Sequence, residues 1–299
     1  MSASAPHSGA APAPHPRRTG WVRSLLLHGL LIAASLLTLY PVLWVIKMAL
    51  SPSQGFALSP SPLPSFSGLS LANFSEVLLT RDASGRFLFF RQLANSLIVS
   101  GAVTIVGVLL SCSAAYALSR FRFPGRNTSL RAFLFVQMFP GVVTTIPLYL
   151  VLEKLHLLDH LGGLVLCYAT TAVPFCVFML KGAFDSLPRE LEEAVLIDGG
   201  TRFDAFVRVA LPLSRPAIAV TALFAFLTAW NEYILAATFI SRPERYTLPV
   251  LLSRYVGDYS TEWGHFAAGA ILVSAPVMAL FFALQRHLIS GMTAGGVKG

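Results

Sequence analysis

Residues 25–46 run for 22 positions without an Asp, Glu, Lys or Arg. A helix of that length reaches roughly 33 Å, enough to cross the hydrocarbon of a bilayer. Further apolar runs lie at 94–118, 132–152, 163–180, 217–240 and 266–285. A chain in lipid must satisfy its backbone hydrogen bonds internally, which leaves helices or closed barrels, and apolar runs this long specify helices. The expectation is an all-α membrane protein with about six spans, near 25–48, 94–118, 132–152, 163–181, 217–240 and 266–286. Five remain if 163–180, with its Gly162-Gly163 pair and Pro174, is re-entrant. A mean hydropathy of +0.67 and a charged fraction of 12% exclude an ordinary soluble domain.

The basic residues set the orientation. With the N-terminus inside, the outer side holds eight of the 22 Lys and Arg: Lys47, Arg81, Arg86, Arg91, Lys154, Arg242, Arg245 and Arg254. The remaining fourteen are cytoplasmic, so the positive-inside rule places both termini in the cytoplasm. This asymmetry accounts for the net charge of +8; there is no basic stripe with interleaved aromatics, and no nucleic-acid partner is expected. Residues 1–20, rich in Ala, Pro, Ser and His, read as a disordered cytoplasmic tail. The first apolar run exceeds the roughly 7–15 residues of a signal-peptide core, which argues against a cleaved signal. Cys112, Cys167 and Cys176 all lie in apolar runs and read as small buried hydrophobes, so no disulfide framework or metal site is expected.

Within this topology the cytoplasmic loop 182–216 concentrates charge: Glu192, Glu193, Asp198, Arg202, Asp204 and Arg208. Apolar residues at 187, 191 and 194–195, then at 203, 206–207 and 210–211, fit helical spacing. Between them, Asp198-Gly199-Gly200-Thr201 supplies a turn and a helix cap, with Asp204 three residues after Thr201. Pro212 and Pro216 set the entry into the following span. The pattern predicts two short helices joined by a sharp turn, an element suited to docking into a groove on a soluble partner. No G-x-x-x-x-G-K-[ST] sequence occurs, so the chain lacks a P-loop and any ATPase belongs to a separate polypeptide.

Glu193-Ala194, Gly199 six residues after the Glu, then Val209, Leu211 and Pro212 resemble the loop signature of permeases of binding-protein-dependent ABC importers. Val195 and Val209 stand where that pattern has Ala and Ile, and both keep apolar character. Much of 90–299 resembles the carbohydrate branch, most closely the G-subunit type of maltose/maltodextrin importers. That likeness includes Trp263-Gly264-His265-Phe266-Ala267-Ala268, Gln285-Arg286 and the ending Thr293-Ala294-Gly295-Gly296-Val297-Lys298-Gly299.

The resemblance implies a type I importer permease fold and a non-catalytic translocation subunit in the bacterial inner membrane. Its partners are a homologous second permease, a dimer of ATPase subunits carrying ATP and Mg, an extracytoplasmic sugar-binding protein and a carbohydrate substrate. The chain itself carries no cofactor. It further implies that Glu193, Ala194, Gly199, Leu211 and Pro212 belong to the ATPase-coupling loop. From their spacing, Phe203 and Phe206 are expected as apolar anchors on its docking face. Gly295, Gly296 and Lys298 in the tail 291–299 are implied as a second ATPase contact.

Ala229-Trp230-Asn231-Glu232-Tyr233 resembles a pattern common among carbohydrate permeases. A carboxylate in the outer part of a span marks a pathway or a buried partner. Trp230, Asn231, Glu232 and Tyr233 are therefore candidates for the substrate path, with an aromatic belt and a local ion pair as the alternative. Tyr246, Tyr255 and Asp258, in the outer loop 241–265, are candidates for contact with the binding protein. Pro140, Gly141, Pro147, Pro174 and Pro276 are hinges or static bends. Two other classes stay open: an ion-gradient-driven secondary transporter and a non-transporting membrane scaffold.

Overall fold

The computed structural model of the chain describes residues 21–55, 68–257 and 260–295. The tail at 1–20, Asp258, Gly296 and Lys298 lie outside the described residues. The helices follow in order as α1 Trp21–Ala49, α2 Ala72–Leu79, α3 Leu88–Arg120, α4 Arg126–Met138, α5 Gly141–Lys154, α6 Leu161–Asp185 and α7 Glu190–Ile197. Next come α8 Arg202–Ala205, a π-helical segment Phe206–Ala210 and α9 Leu211–Leu213. The remainder are α10 Arg215–Trp230, α11 Ile234–Phe239, α12 Leu248–Arg254 and α13 Trp263–Gly295.

Among the described residues, four stretches are long and apolar enough to cross a membrane as single helices: Arg23–Ala49, Leu88–Arg120, Leu161–Asp185 and Trp263–Gln285. Along α1, most side chains up to Leu43 are exposed and most of these are apolar, as a lipid-facing helix requires. Two further expected spans are not single straight helices. The run 132–152 divides into α4 and α5, which meet at 103°. Phe139 is extended there (φ −75°, ψ 129°) because the following Pro140 disfavours a helical conformation in the residue before it and donates no N–H. The run 217–240 divides at Asn231–Tyr233 into α10 and the six-residue α11. Residues 163–180, by contrast, lie within one unbroken 25-residue helix despite Pro174. The sharp break therefore falls at 139–140, not at the Gly162-Gly163 pair.

The core forms where α3, α6 and α10 pack on one another. The inward face of α3 repeats Gln92, Ser96, Val99, Val103, Gly107, Ser111, Ala115 and Ser119 at three- and four-residue steps. Small residues at these positions let helix backbones approach closely without lipid between them. The Ser111 hydroxyl donates to the Val173 carbonyl at 3.2 Å, tying α3 to α6 beside Pro174. One apolar cluster includes Val99, Val103, Leu164, Tyr168, Ala236 and Phe239; a second includes Cys112, Ala115, Tyr116, Val177, Leu180 and Phe184. All three cysteines are buried and unpaired by disulfides.

Candidate functional site

The charged loop folds into α7 and a second helical run, Arg202–Leu213, built from α8, the π-helical segment and α9. The turn between them is specified chemically. Gly199 adopts φ +82°, a conformation glycine tolerates without steric cost. The Gly199 amide donates to Leu196 O at 3.2 Å and the Gly200 amide to Val195 O at 2.9 Å, the Schellman pattern that closes a helix C-terminus. A Cβ on Gly200 would lie 2.6 Å from the Val195 side chain, so the second glycine serves close approach. Thr201 then opens α8 with a reciprocal cap. Its hydroxyl accepts the Asp204 amide at 3.1 Å, and the Asp204 carboxylate accepts the Thr201 amide at 3.0 Å. The Thr201 hydroxyl also donates to the Asp204 carboxylate, and this bond with that from the Thr201 amide holds the Asp204 carboxyl below the usual carboxylate range. A 75° bend separates Leu213 from α10, with Ser214 between the two helices and Pro216 at the start of α10.

The two neighbouring glutamates have opposite environments. Glu193 is exposed, whereas Glu192 is only 8% exposed. Glu192 accepts Tyr116 Oη and Arg120 Nε, each at 2.7 Å, and Arg120 Nη2 also donates to Leu187 O at 3.1 Å. The inward side of α7 is thus Glu192, Val195 and Leu196, while Leu191, Glu193, Ala194 and Ile197 are exposed. The outward surface carries Ile197 at 86% and Phe203 at 71% exposure.

Phe206, expected with Phe203 as an apolar anchor on the docking face, is half-buried rather than projecting. Its ring lies 4.6 Å from that of Tyr116 and 6.3 Å from that of Phe184, packed on the core between α3 and α6. Together with Phe203, Phe121, Tyr116, Ala117 and Arg202 it lines an apolar groove of about 300 Å³. Leu211 and Pro212 are half-buried in the last turn before α10. Arg120, Tyr116 and the inward role of Glu192 escaped the sequence reading. The signal for Glu192 was its place on one helix face with Val195 and Leu196; nothing local pointed to Arg120.

On the opposite side, Trp230 is 2% exposed, stacked on Phe226 at 5.3 Å and packed with Phe89, Leu248 and Leu251. Its ring therefore offers no open face. Asn231 and Tyr233 are exposed, and Glu232 is half-buried in the break between α10 and α11. The outer loop that follows is strapped down by side chains. Gln92 donates to Pro243 O at 2.9 Å, and Asn95 donates to Glu244 O and Tyr246 O at 2.9 and 3.0 Å. Asp159 accepts the amides of Ser241 and Arg242 and pairs with the Arg242 guanidinium at 2.9 Å. Tyr246 is half-buried beneath the Arg254 guanidinium, 5.5 Å from its ring. Tyr255 borders a cleft of about 490 Å³ with Glu76, Glu262 and His265, and burial pushes its phenol up to about 12. Gly295 closes α13. Among the described residues no cluster of His, Cys, Asp or Glu is arranged to hold a metal ion.

Comparison with known proteins places this architecture. The chain is 34% identical to the diacetylchitobiose uptake system permease protein of Streptomyces coelicolor, over 87% of this chain and 92% of that protein. It is 36% identical to the maltose/maltodextrin transport system permease protein of Vibrio parahaemolyticus, over 88% and 92%. The crystal structure of a bacterial ABC transporter involved in the import of the acidic polysaccharide alginate contains a chain with the same fold. The TM-score is 0.72 at 22% identity, covering 92% of this chain and 99% of that one. Residues 107–294 match the family described as binding-protein-dependent transport system inner membrane component. With its apolar helices, the type I importer permease fold and that match, the chain belongs to this family of non-catalytic, multi-pass inner-membrane components.

Proposed function

We propose that the chain is one permease subunit of an ATP-driven carbohydrate importer, taking an oligosaccharide of which maltose and maltodextrin are the leading candidates. Both termini lie in the cytoplasm, a homologous permease completes the path, and two ATPase subunits carrying ATP and Mg dock on α7 and α8. An extracytoplasmic sugar-binding protein docks on the outer loops around Tyr246, Tyr255 and Asp258. The tail with Gly295, Gly296 and Lys298 makes a second ATPase contact.

One observation carries this reading. The turn around Gly199 presents Glu193, Ile197 and Phe203 to solvent while Glu192 anchors the same helix from behind. Solvent exposure of two large apolar groups beside a free carboxylate suits a partner with an apolar cleft and a basic group. The carbohydrate class is supported by relatives that are permeases for diacetylchitobiose and for maltose/maltodextrin.

The test is uptake by proteoliposomes holding the subunit with the permease, ATPase and binding-protein subunits encoded beside it, loaded with ATP. Labelled gluco-, galacto- and chito-oligosaccharides are offered in turn. ATP-dependent accumulation of one of them is the expected result; accumulation of none, or accumulation driven by an ion gradient without ATP, overturns the proposal. Deleting residues 292–299 is expected to alter ATP turnover, and wild-type turnover and transport reject the tail contact.

A further inference from the structure

Helix α3 differs from the other long helices. The 29-residue α1, 25-residue α6 and 33-residue α13 contain Pro41, Pro174 and Pro276, whereas the 33 residues of α3 contain none. Proline is a common cause of a helix kink, and α3, which carries a Ser100-Gly101 step but no proline, runs as one continuous helix of about 50 Å.

Both ends of α3 are clamped by polar side chains to elements far away in sequence. At the inner end, Tyr116 and Arg120 hold Glu192 of α7, Arg120 also holds Leu187 O, and Ser119 donates to Asp185 at 2.6 Å. The Arg120 and Glu192 side chains are 7% and 10% exposed, so the pair is largely shielded from bulk solvent. A cavity of about 220 Å³ lies against this joint, and Glu193, Arg189 and Arg202 line it as well. The docking surface and the joint thus share one wall. At the outer end, Gln92 and Asn95 grip the carbonyls of Pro243, Glu244 and Tyr246, and Ser96 accepts the Leu248 amide at 2.8 Å.

We propose that α3 is the transmission rod of the subunit, with Arg120 and Glu192 as positioning residues at its inner joint and Gln92 and Asn95 at its outer one. Displacement of α7 and α8 pulls on Arg120 and moves α3 as a unit, and the outer loop 243–248 follows. A buried ion pair adds little to stability over an apolar contact of the same shape, and fixing the register of two elements is the best-attested use of one. The inference rests on the reading of α7 and α8 as the ATPase-docking element.

The test uses the reconstituted importer and reads sugar imported per ATP hydrolysed, together with the amount of ATPase retained on the subunit. Glu192→Gln and Asn95→Ala, at opposite ends of α3, are each expected to lower sugar per ATP about tenfold with the ATPase still bound, the size of a typical lost coupling. Glu193→Ala is expected to release the ATPase instead. Labelling of a cysteine placed by Ser241→Cys is expected to change between ATP-free and ATP-bound wild type and to stop changing in both rod variants. Wild-type stoichiometry in Asn95→Ala overturns the rod even if Glu192→Gln fails to assemble. Full ATPase retention and normal uptake in Glu193→Ala, by contrast, overturns the docking reading.

Discussion

The Glu232 carboxylate accepts the backbone N–H of Leu235 at 2.9 Å, and its other oxygen accepts that of Ala236 at 3.2 Å. The charge expected to mark a pathway is therefore engaged in restarting a helix after the break at Asn231–Tyr233. Glu232→Ala is expected to cost about 1 kcal/mol, as loss of a helix cap does, and to lower the melting temperature of the purified subunit. Glu232→Gln keeps an acceptor oxygen and should leave melting, sugar affinity and uptake near wild type. A Gln variant that melts normally but loses sugar affinity would return Glu232 to the substrate path.

Phe203 and Phe206 should separate cleanly. Phe203→Ser removes an exposed ring and is expected to leave melting unchanged while reducing ATPase co-purification. Phe206→Ser removes a ring packed on Tyr116 and Phe184, and is expected to destabilise by about 2 kcal/mol. Equal melting of the two variants contradicts the assignment.

Gly199 has φ +82°, so any Cβ there strains the turn by about 1–2 kcal/mol. Gly199→Val is expected to lower ATP-driven uptake while the subunit remains in the membrane. Uptake at the wild-type rate refutes a role for the turn in coupling.

The Thr201–Asp204 cap gives a pH dependence. Thr201 lowers the Asp204 pKa in the folded state, so the stabilisation is present above the unfolded value and is lost as pH falls through the folded one. Hydrogen exchange at the Asp204 amide should be about fivefold faster in Thr201→Ala at neutral pH. The difference should shrink under acid conditions that protonate Asp204; a difference constant through acid removes the carboxylate from the cap.

Asn73, 1% exposed, donates to Ala49 O at 3.0 Å and Ser51 O at 2.7 Å, and Gly264 packs against it. A Cβ on Gly264 would lie 2.6 Å from the Asn73 amide nitrogen. Asn73→Ala is expected to cost about 1–3 kcal/mol by stranding those carbonyls, and Gly264→Ala to lower melting by displacing the amide. Normal melting in both shows that this contact does not hold the segment.

Long apolar runs fix membrane helices because hydrophobic transfer acts residue by residue along the chain and requires no knowledge of neighbours. The positions of α1, α3, α6 and α13 were legible for that reason, as was the Gly199-Gly200-Thr201 turn, whose chemistry is local. Pro140 was legible as a bend, but not as a 103° reversal within one apolar run. What only the tertiary structure decided is which face of each element meets another. Glu192 is buried and Glu193 free because Arg120, 72 residues earlier, arrives beside one and not the other. Trp230 and Phe206 turn inward because α3, α6 and α12 supply packing surfaces that no local pattern announces. Hydropathy thus set the helices, and the long-range polar clamps on α3 set how they act together.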